Sequence, residues 1–307
     1  MGRTLRLILL PTILASASLP GCDEREHSKT ELIWGTHGTK PGWLHKPRVA
    51  AFDRQDHLYL ADLTDRIQVF DRDGNFLRSW RTPDLNVDGP SGLTIDRQGR
   101  LLVADTHFYR VLIYSETGDL LRQLGDGVQG TGPGQFGYTT DVVVDRSGNF
   151  YVSEYGDSDR IQVFSPEGKW LREWGRHGYE PGEFARPRAL AMDDKDNIYV
   201  ADSCNHRIQV FDTNGKLLNI WGERGKDAGQ LSYPFDLAIG PDGCLYVCEY
   251  GNERVQKFTL DGKSLGFWGR SGRGSGELNN PWALAVDSQG AVSIVDSNNH
   301  RVQRFRL

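Results

Sequence analysis

Residues 198–222 read IYVADSCNHRIQVFDTNGKLLNIWG. Three short runs of β-branched, aromatic and aliphatic residues, IYVAD, RIQVF and KLLNIWG, are separated by SCNH and DTNG, which are built from turn-forming residues. Runs of this length with this punctuation predict strands joined by tight turns. A further run, RALAMD at 188–193, precedes them across the turn DKDN. The unit is four antiparallel strands.

The unit recurs. Its third strand opens on an arginine at Arg66, Arg110, Arg160, Arg207, Arg254 and Arg301, with spacings of 44, 50, 47, 47 and 47 residues. Four strands at a period of about 40–50 residues mark a propeller blade. The fourth strand ends in Trp-Gly or a variant at Trp80-Arg81, Leu124-Gly125, Trp174-Gly175, Trp221-Gly222 and Trp268-Gly269, one copy fewer than the arginines. The missing copy stands at the front, where ELIWG at 31–35 matches LNIWG. The fold expected is all-β: a six-bladed β-propeller of four-stranded antiparallel blades over 31–307. The N-terminal strand joins the last blade and closes the ring, leaving no open sheet edge.

On the stretch VADSCNHRIQVFDTNGKLLNIWG and its copies, the whole of 31–307 resembles the NHL-repeat propellers. The resemblance implies a rigid disc whose loop-rich face holds a protein, peptide or small ligand. Six-bladed relatives also resemble peptidyl-hydroxyglycine lyases and lactone hydrolases. They imply a second expectation, a propeller enzyme dependent on Ca²⁺ or Zn²⁺, so the sequence leaves open whether the chain is an enzyme.

The first residues are read apart from the propeller. Arg3 and Arg6 precede an apolar run at 7–17 that is short of the roughly 20 residues a membrane span needs. A positive start and a short apolar run read as a signal peptide over 1–21. Leu19-Pro20-Gly21-Cys22 resembles a lipobox, although Pro20 departs from the usual residue there. The expectation is lipid attachment at Cys22, a polar tether over 22–30, and an extracytoplasmic, membrane-anchored lipoprotein on the periplasmic side or cell surface. Plain secretion is the alternative. Removing 1–21 takes away two arginines and no acid, moving the net charge from −5 to −7, which argues against a nucleic-acid partner. Cys244 and Cys248 lie about 13 Å apart by strand rise, too far for a disulfide.

Six internal copies separate blade grammar from candidate sites. An acid stands about five residues before each arginine, at Asp62, Asp105, Glu154, Asp202, Glu249 and Asp296. A pair repeated six times is a scaffold element first, with the arginine supplying a planar fork of donors. Only the third and fifth copies spell the acid Glu-Tyr, Glu154-Tyr155 and Glu249-Tyr250, and only those two open their first strand with an aspartate, Asp141 and Asp236. Strand directions bring the starts of the first strands and the ends of the second to one mouth of the central channel. There Arg48, Arg188 and Trp282 join them. Two carboxylates, phenols, arginines and rings around a concave mouth suit a polar ligand with apolar faces, or a peptide or protein partner. The binding set is thus Arg48, Asp141, Glu154, Tyr155, Arg188, Asp236, Glu249, Tyr250 and Trp282.

No catalytic residue and no metal ligand is assigned, and no cofactor is expected, with Ca²⁺ the cation that the acids would suit. His37, His45, His107, His177, His206 and His300 fall on the loop-rich face, where clustered histidines would suggest a metal, but without a recognisable ligand spacing they are read as exposed loop residues, and His206 and His300 point towards neighbouring blades.

Overall fold

The computed structural model describes residues 29–84 and 89–307. The expected signal peptide, Cys22 and most of the expected tether lie outside the described residues. Among the described residues no helix is long and apolar enough to cross a membrane.

Six four-stranded antiparallel sheets succeed one another around a ring. Their innermost strands are Pro47–Phe52, Gly92–Ile95, Tyr138–Val144, Pro187–Met192, Pro234–Ile239 and Pro281–Val286, which number blades one to six. The strand Leu32–Trp34 pairs with Arg301–Phe305, with Leu32 opposite Arg304 and Trp34 opposite Val302, and so forms the outer strand of blade six. The closure expected from ELIWG is therefore the closure observed.

Burial results from the stacking. The second strand of each blade has a neighbouring sheet on both faces, and in all six blades each of its five core positions is buried. Fourth strands face solvent; Phe76–Arg81 alternates exposed and half-buried residues. The apolar core is divided into clusters lying between neighbouring blades, and one of them joins Ala283, Val295 and Val302 of blade six to Ala50, Leu60 and Phe70 of blade one. The ring is held at its seam by the same kind of apolar packing as elsewhere.

The repeated polar residues lace each blade to the loop that enters it. In blade five, Arg254 Nε donates to Glu249 at 2.6 Å while its Nη atoms reach the carbonyls of Lys226, Asp227 and Gln230. Gln256 adds a bond to the Gln230 carbonyl and accepts the Gly229 N–H. The same Arg-x-Gln arrangement recurs around Arg66, Arg160, Arg207 and Arg301. Blade two departs, with Leu112 in the glutamine position and Arg110 shared between Asp105 and Asp84. The tryptophans of the Trp-Gly pairs cap turns of the next blade. A Cβ on Gly215, at φ +83°, would lie 2.7 Å from the Trp174 indole, so this turn needs glycine for conformation and for space. Cys204, Cys244 and Cys248 are free thiols.

Candidate functional site

The innermost strands start on the loop-rich face, and a register shift near the start of five of them turns two successive residues towards the axis. Blades one, four, five and six enter this strand through a left-handed residue with proline next in the chain: Lys46, Arg186, Tyr233 and Asn280, at φ between 48° and 58°. The first inward position is held by Arg48, Ser91, Thr140, Arg188, Phe235 and Trp282. The second is held by Val49, Gly92, Asp141, Ala189, Asp236 and Ala283. At this level the channel is pinched, with Arg188, Phe235, Trp282, Asp141 and Asp236 among its walls.

Arg188 dominates the pinch. Its side chain is buried, with 5 % of the residue exposed, and its Nε has no hydrogen-bond partner among the described residues. The guanidinium carbon sits 4.6 Å from the centre of the Phe235 ring and 5.2 Å from that of Trp282. Burial, then the positive charge of Arg186, pulls its pKa well below the usual guanidinium range, to about 10. Arg48 lies 4.1 Å above the same Trp282 ring, so one indole is shared by two arginines. Phe235 stacks on Tyr250 at 4.6 Å and meets Trp282 edge-on. On the other side, Tyr155 stacks on Tyr138 and carries Arg186 4.6 Å over its ring.

Asp141 and Asp236 play one part in two blades. Asp141 accepts the N–H of Val142 and, across the blade boundary, that of Leu190 at 2.8 Å. Asp236 accepts those of Leu237 and, in blade six, Leu284 at 2.8 Å. Burial raises Asp141 to about 7 and Asp236 well above the usual carboxylate range, the latter helped by the charge of Asp141. Asp236 keeps some surface towards the channel, but strands wall that channel on all sides, so desolvation still prevails. Their oxygens are largely committed to backbone N–H groups, which makes them poor candidates for a Ca²⁺ cage needing six to eight free oxygen ligands.

The structure therefore divides the nine sequence candidates. Arg188, Asp141, Asp236 and Trp282 line the pinch, and Arg48, Tyr155 and Tyr250 complete the rim through their ring contacts. Glu154 and Glu249 stand apart from it, at 0 % exposure. Glu154 is bonded to Arg160, Gln162 and the Gly137 N–H, and Glu249 to Arg254, Gln256, Asn252 and the Ser232 N–H. These are the duties of Asp202 and Asp296 in their own blades, which take the Ala185 and Asn279 N–H groups and bond Arg207 and Arg301. Sequence reading passed over Phe235 and Arg186, the first hidden as one more aromatic and the second as one more loop cation. On the turn face the channel widens to a cavity of about 310 Å³, walled mainly by aliphatic residues such as Ala51, Leu93 and Ile239. Its lining holds one cation, Arg97, and one ring, Phe52, among the described residues, whereas several of each converge on the loop-rich face.

The histidines are not all separate. His206 Nδ1 accepts the Tyr233 N–H and His300 Nδ1 the Lys46 N–H, so both do reach the next blade. His37, His45 and His300 gather at one place. His45 and His300 are half-buried and His206 is buried, which corrects the reading of His45, His206 and His300 as exposed loop residues.

The NHL repeat model matches residues 184–211 and 278–305. The chain is 37% identical over 124 residues to peptidyl-glycine alpha-amidating monooxygenase B of Xenopus laevis, a match covering 38% of this chain and 14% of that protein. It is 31% identical over 165 residues to NHL repeat-containing protein 3 of Mus musculus, covering 48% of this chain and 46% of that one. Each match thus spans less than half the relative's length. A solved streptogramin B lyase superposes with a TM-score of 0.63 at 13% identity, covering 90% of this chain and 97% of that chain, which is a likeness of fold.

Proposed function

From a six-bladed β-propeller that carries NHL repeats, we propose a binding module whose loop-rich mouth takes a peptide or small ligand bearing an acidic group beside an apolar face. In this proposal the chain is exported and held at a membrane by lipid on Cys22. The observation that carries the reading is Arg188, buried among rings with an unspent Nε donor. A desolvated cation whose Nε has no hydrogen-bond partner among the described residues is a cost to the fold, and an anionic ligand group would offset it with charge-assisted hydrogen bonds. Phe235, Trp282 and Tyr250 would supply the apolar face. The names of the amidating relatives, which concern peptidyl-glycine, support a peptide end as the ligand. The test is a titration of short peptides with free C-terminal carboxylates, and their amides, against the wild type and Arg188→Met. Saturable binding that prefers the carboxylate and weakens at least tenfold in the variant supports the reading; equal binding to both proteins removes it.

The same relatives favour a second reading, a metal-dependent propeller enzyme. Conversion of a peptidyl-hydroxyglycine substrate that stops on chelation would establish it.

A further inference from the structure

We propose that His37, His45 and His300 form a site for a first-row divalent cation such as Zn²⁺, placed on the seam where the propeller closes. The three rings each bring a ligand nitrogen to within 4.8 Å of the other two. His37 Nε2 and His45 Nδ1 lie 3.2 Å apart. That is close to the separation of about 3.3 Å between two ligands of a tetrahedral zinc with Zn–N bonds near 2.0–2.1 Å. His300 stacks on His37 with ring centres 3.9 Å apart, so a shift of little more than 1 Å completes the trio. Imidazole donors select zinc, copper, nickel or cobalt over the hard, oxygen-seeking Ca²⁺ and Mg²⁺.

The repeats provide the control. His37, His177 and Arg224 occupy one position, each forming an isolated parallel bridge seven residues on. His45, Ala185 and Ser232 occupy a second, whose N–H binds the blade acid. His300, Asp159 and His206 occupy a third, whose side chain accepts an N–H from the next blade. Between blades three and four the trio is His177, Ala185 and Asp159, with His177 bonded to Asp159 at 2.7 Å. Between blades four and five it is Arg224, Ser232 and His206. Blade grammar therefore asks for a hydrogen-bond acceptor at the third position only. Imidazoles at all three positions belong to the closing seam, where His37 and His45 come after the strand Leu32–Trp34 and His300 precedes Arg301–Phe305.

A cation there would tie the segment that closes the ring to both blades it joins. It would displace the proton that His37 and His45 share. His300 spends Nδ1 on the Lys46 N–H, so ligation through its other nitrogen gives up that bond. The Lys46 amide is accordingly the reporter of the third ligand.

The experiment uses the full chain freed of metal by a chelator that is then removed. Co²⁺ titration should give one equivalent with visible d–d absorption, displaced by Zn²⁺, and saturating Zn²⁺ should raise the melting temperature. His37→Ala should bind Co²⁺ at least tenfold more weakly, since among the described residues the His37 side chain hydrogen-bonds to His45 and stacks on His300, and its loss spares the fold. His206→Ala, lacking the same latch elsewhere, should bind as the wild type does. On adding Zn²⁺ the Lys46 amide resonance should move. Absence of Co²⁺ binding at 100 µM, unchanged affinity in His37→Ala, or an unmoved Lys46 amide in the zinc-loaded protein would each overturn the three-histidine site.

Discussion

Replacing Arg188 by methionine should stabilise the protein. The residue is 5 % exposed, its Nε is unpartnered among the described residues, and its pKa is pulled well below the usual guanidinium range, to about 10. At 1.36 kcal/mol per pKa unit, holding the charge in the folded state at pH 7 costs about 3 kcal/mol. The depressed value sets the sign: a base whose folded pKa lies below its unfolded one destabilises the fold at every pH at which it stays charged. The contacts with Phe235 and Trp282 return about 1–2 kcal/mol as cation–π attraction. Methionine keeps the apolar stem and packs its thioether on the same rings. A net gain of about 1–2 kcal/mol is expected, or roughly 2–6 °C in melting temperature for a domain of this size. Equilibrium urea unfolding and a thermal melt at pH 7 read it directly. A loss of more than 1 kcal/mol would mean that Arg188 holds the blades together, and the inference that it is kept at the expense of stability for a ligand would fail.

Other perturbations separate rim from scaffold. Changing Tyr155 and Tyr250 to Ser should cost about 1 kcal/mol each, from their stacking on Tyr138 and Phe235, and weaken peptide binding at least tenfold; melts and the peptide titration measure the two effects. Arg254→Met leaves Glu249 buried without its partner and should cost about 3–5 kcal/mol in urea unfolding. Asp141 has a folded pKa of about 7 against 3.8 unfolded, so its penalty is absent below about pH 4 and grows until pH 7, reaching roughly 2–4 kcal/mol. Stability of the wild type relative to Asp141→Asn should therefore fall over that window; a flat difference between pH 4 and 8 would show that the carboxyl stays ionised throughout.

The fold was legible because each blade repeats the same words. The blade arginine and the acid before it recur in all six blades, Arg-x-Gln in five, and ELIWG at the front announced the closing strand. The rim was half legible. Asp141, Asp236, Arg188 and Trp282 are placed by strand direction, which brings the starts of the inner strands to the mouth, whereas the register shift that turns two successive residues inwards is seen only in the structure. Glu154 and Glu249 looked special because the sequence shows a change of residue but not where its oxygens go. One more methylene lets glutamate do the work of Asp202, bonding the blade arginine and a loop N–H. What makes Arg188 distinctive is a buried guanidinium set between Phe235 and Trp282 with Nε unpartnered among the described residues, which no motif records. His37 and His300 lie 263 residues apart and meet only because the ring closes.

The most direct test of the ligand-binding mouth is a fluorescence-polarisation titration of labelled short peptides with free C-terminal carboxylates, run in parallel on the wild type and Arg188→Met. Saturable binding to the wild type, at least tenfold weaker in a variant that melts at the same or a higher temperature, is the predicted result. Binding of equal strength to both, or to neither, would contradict it.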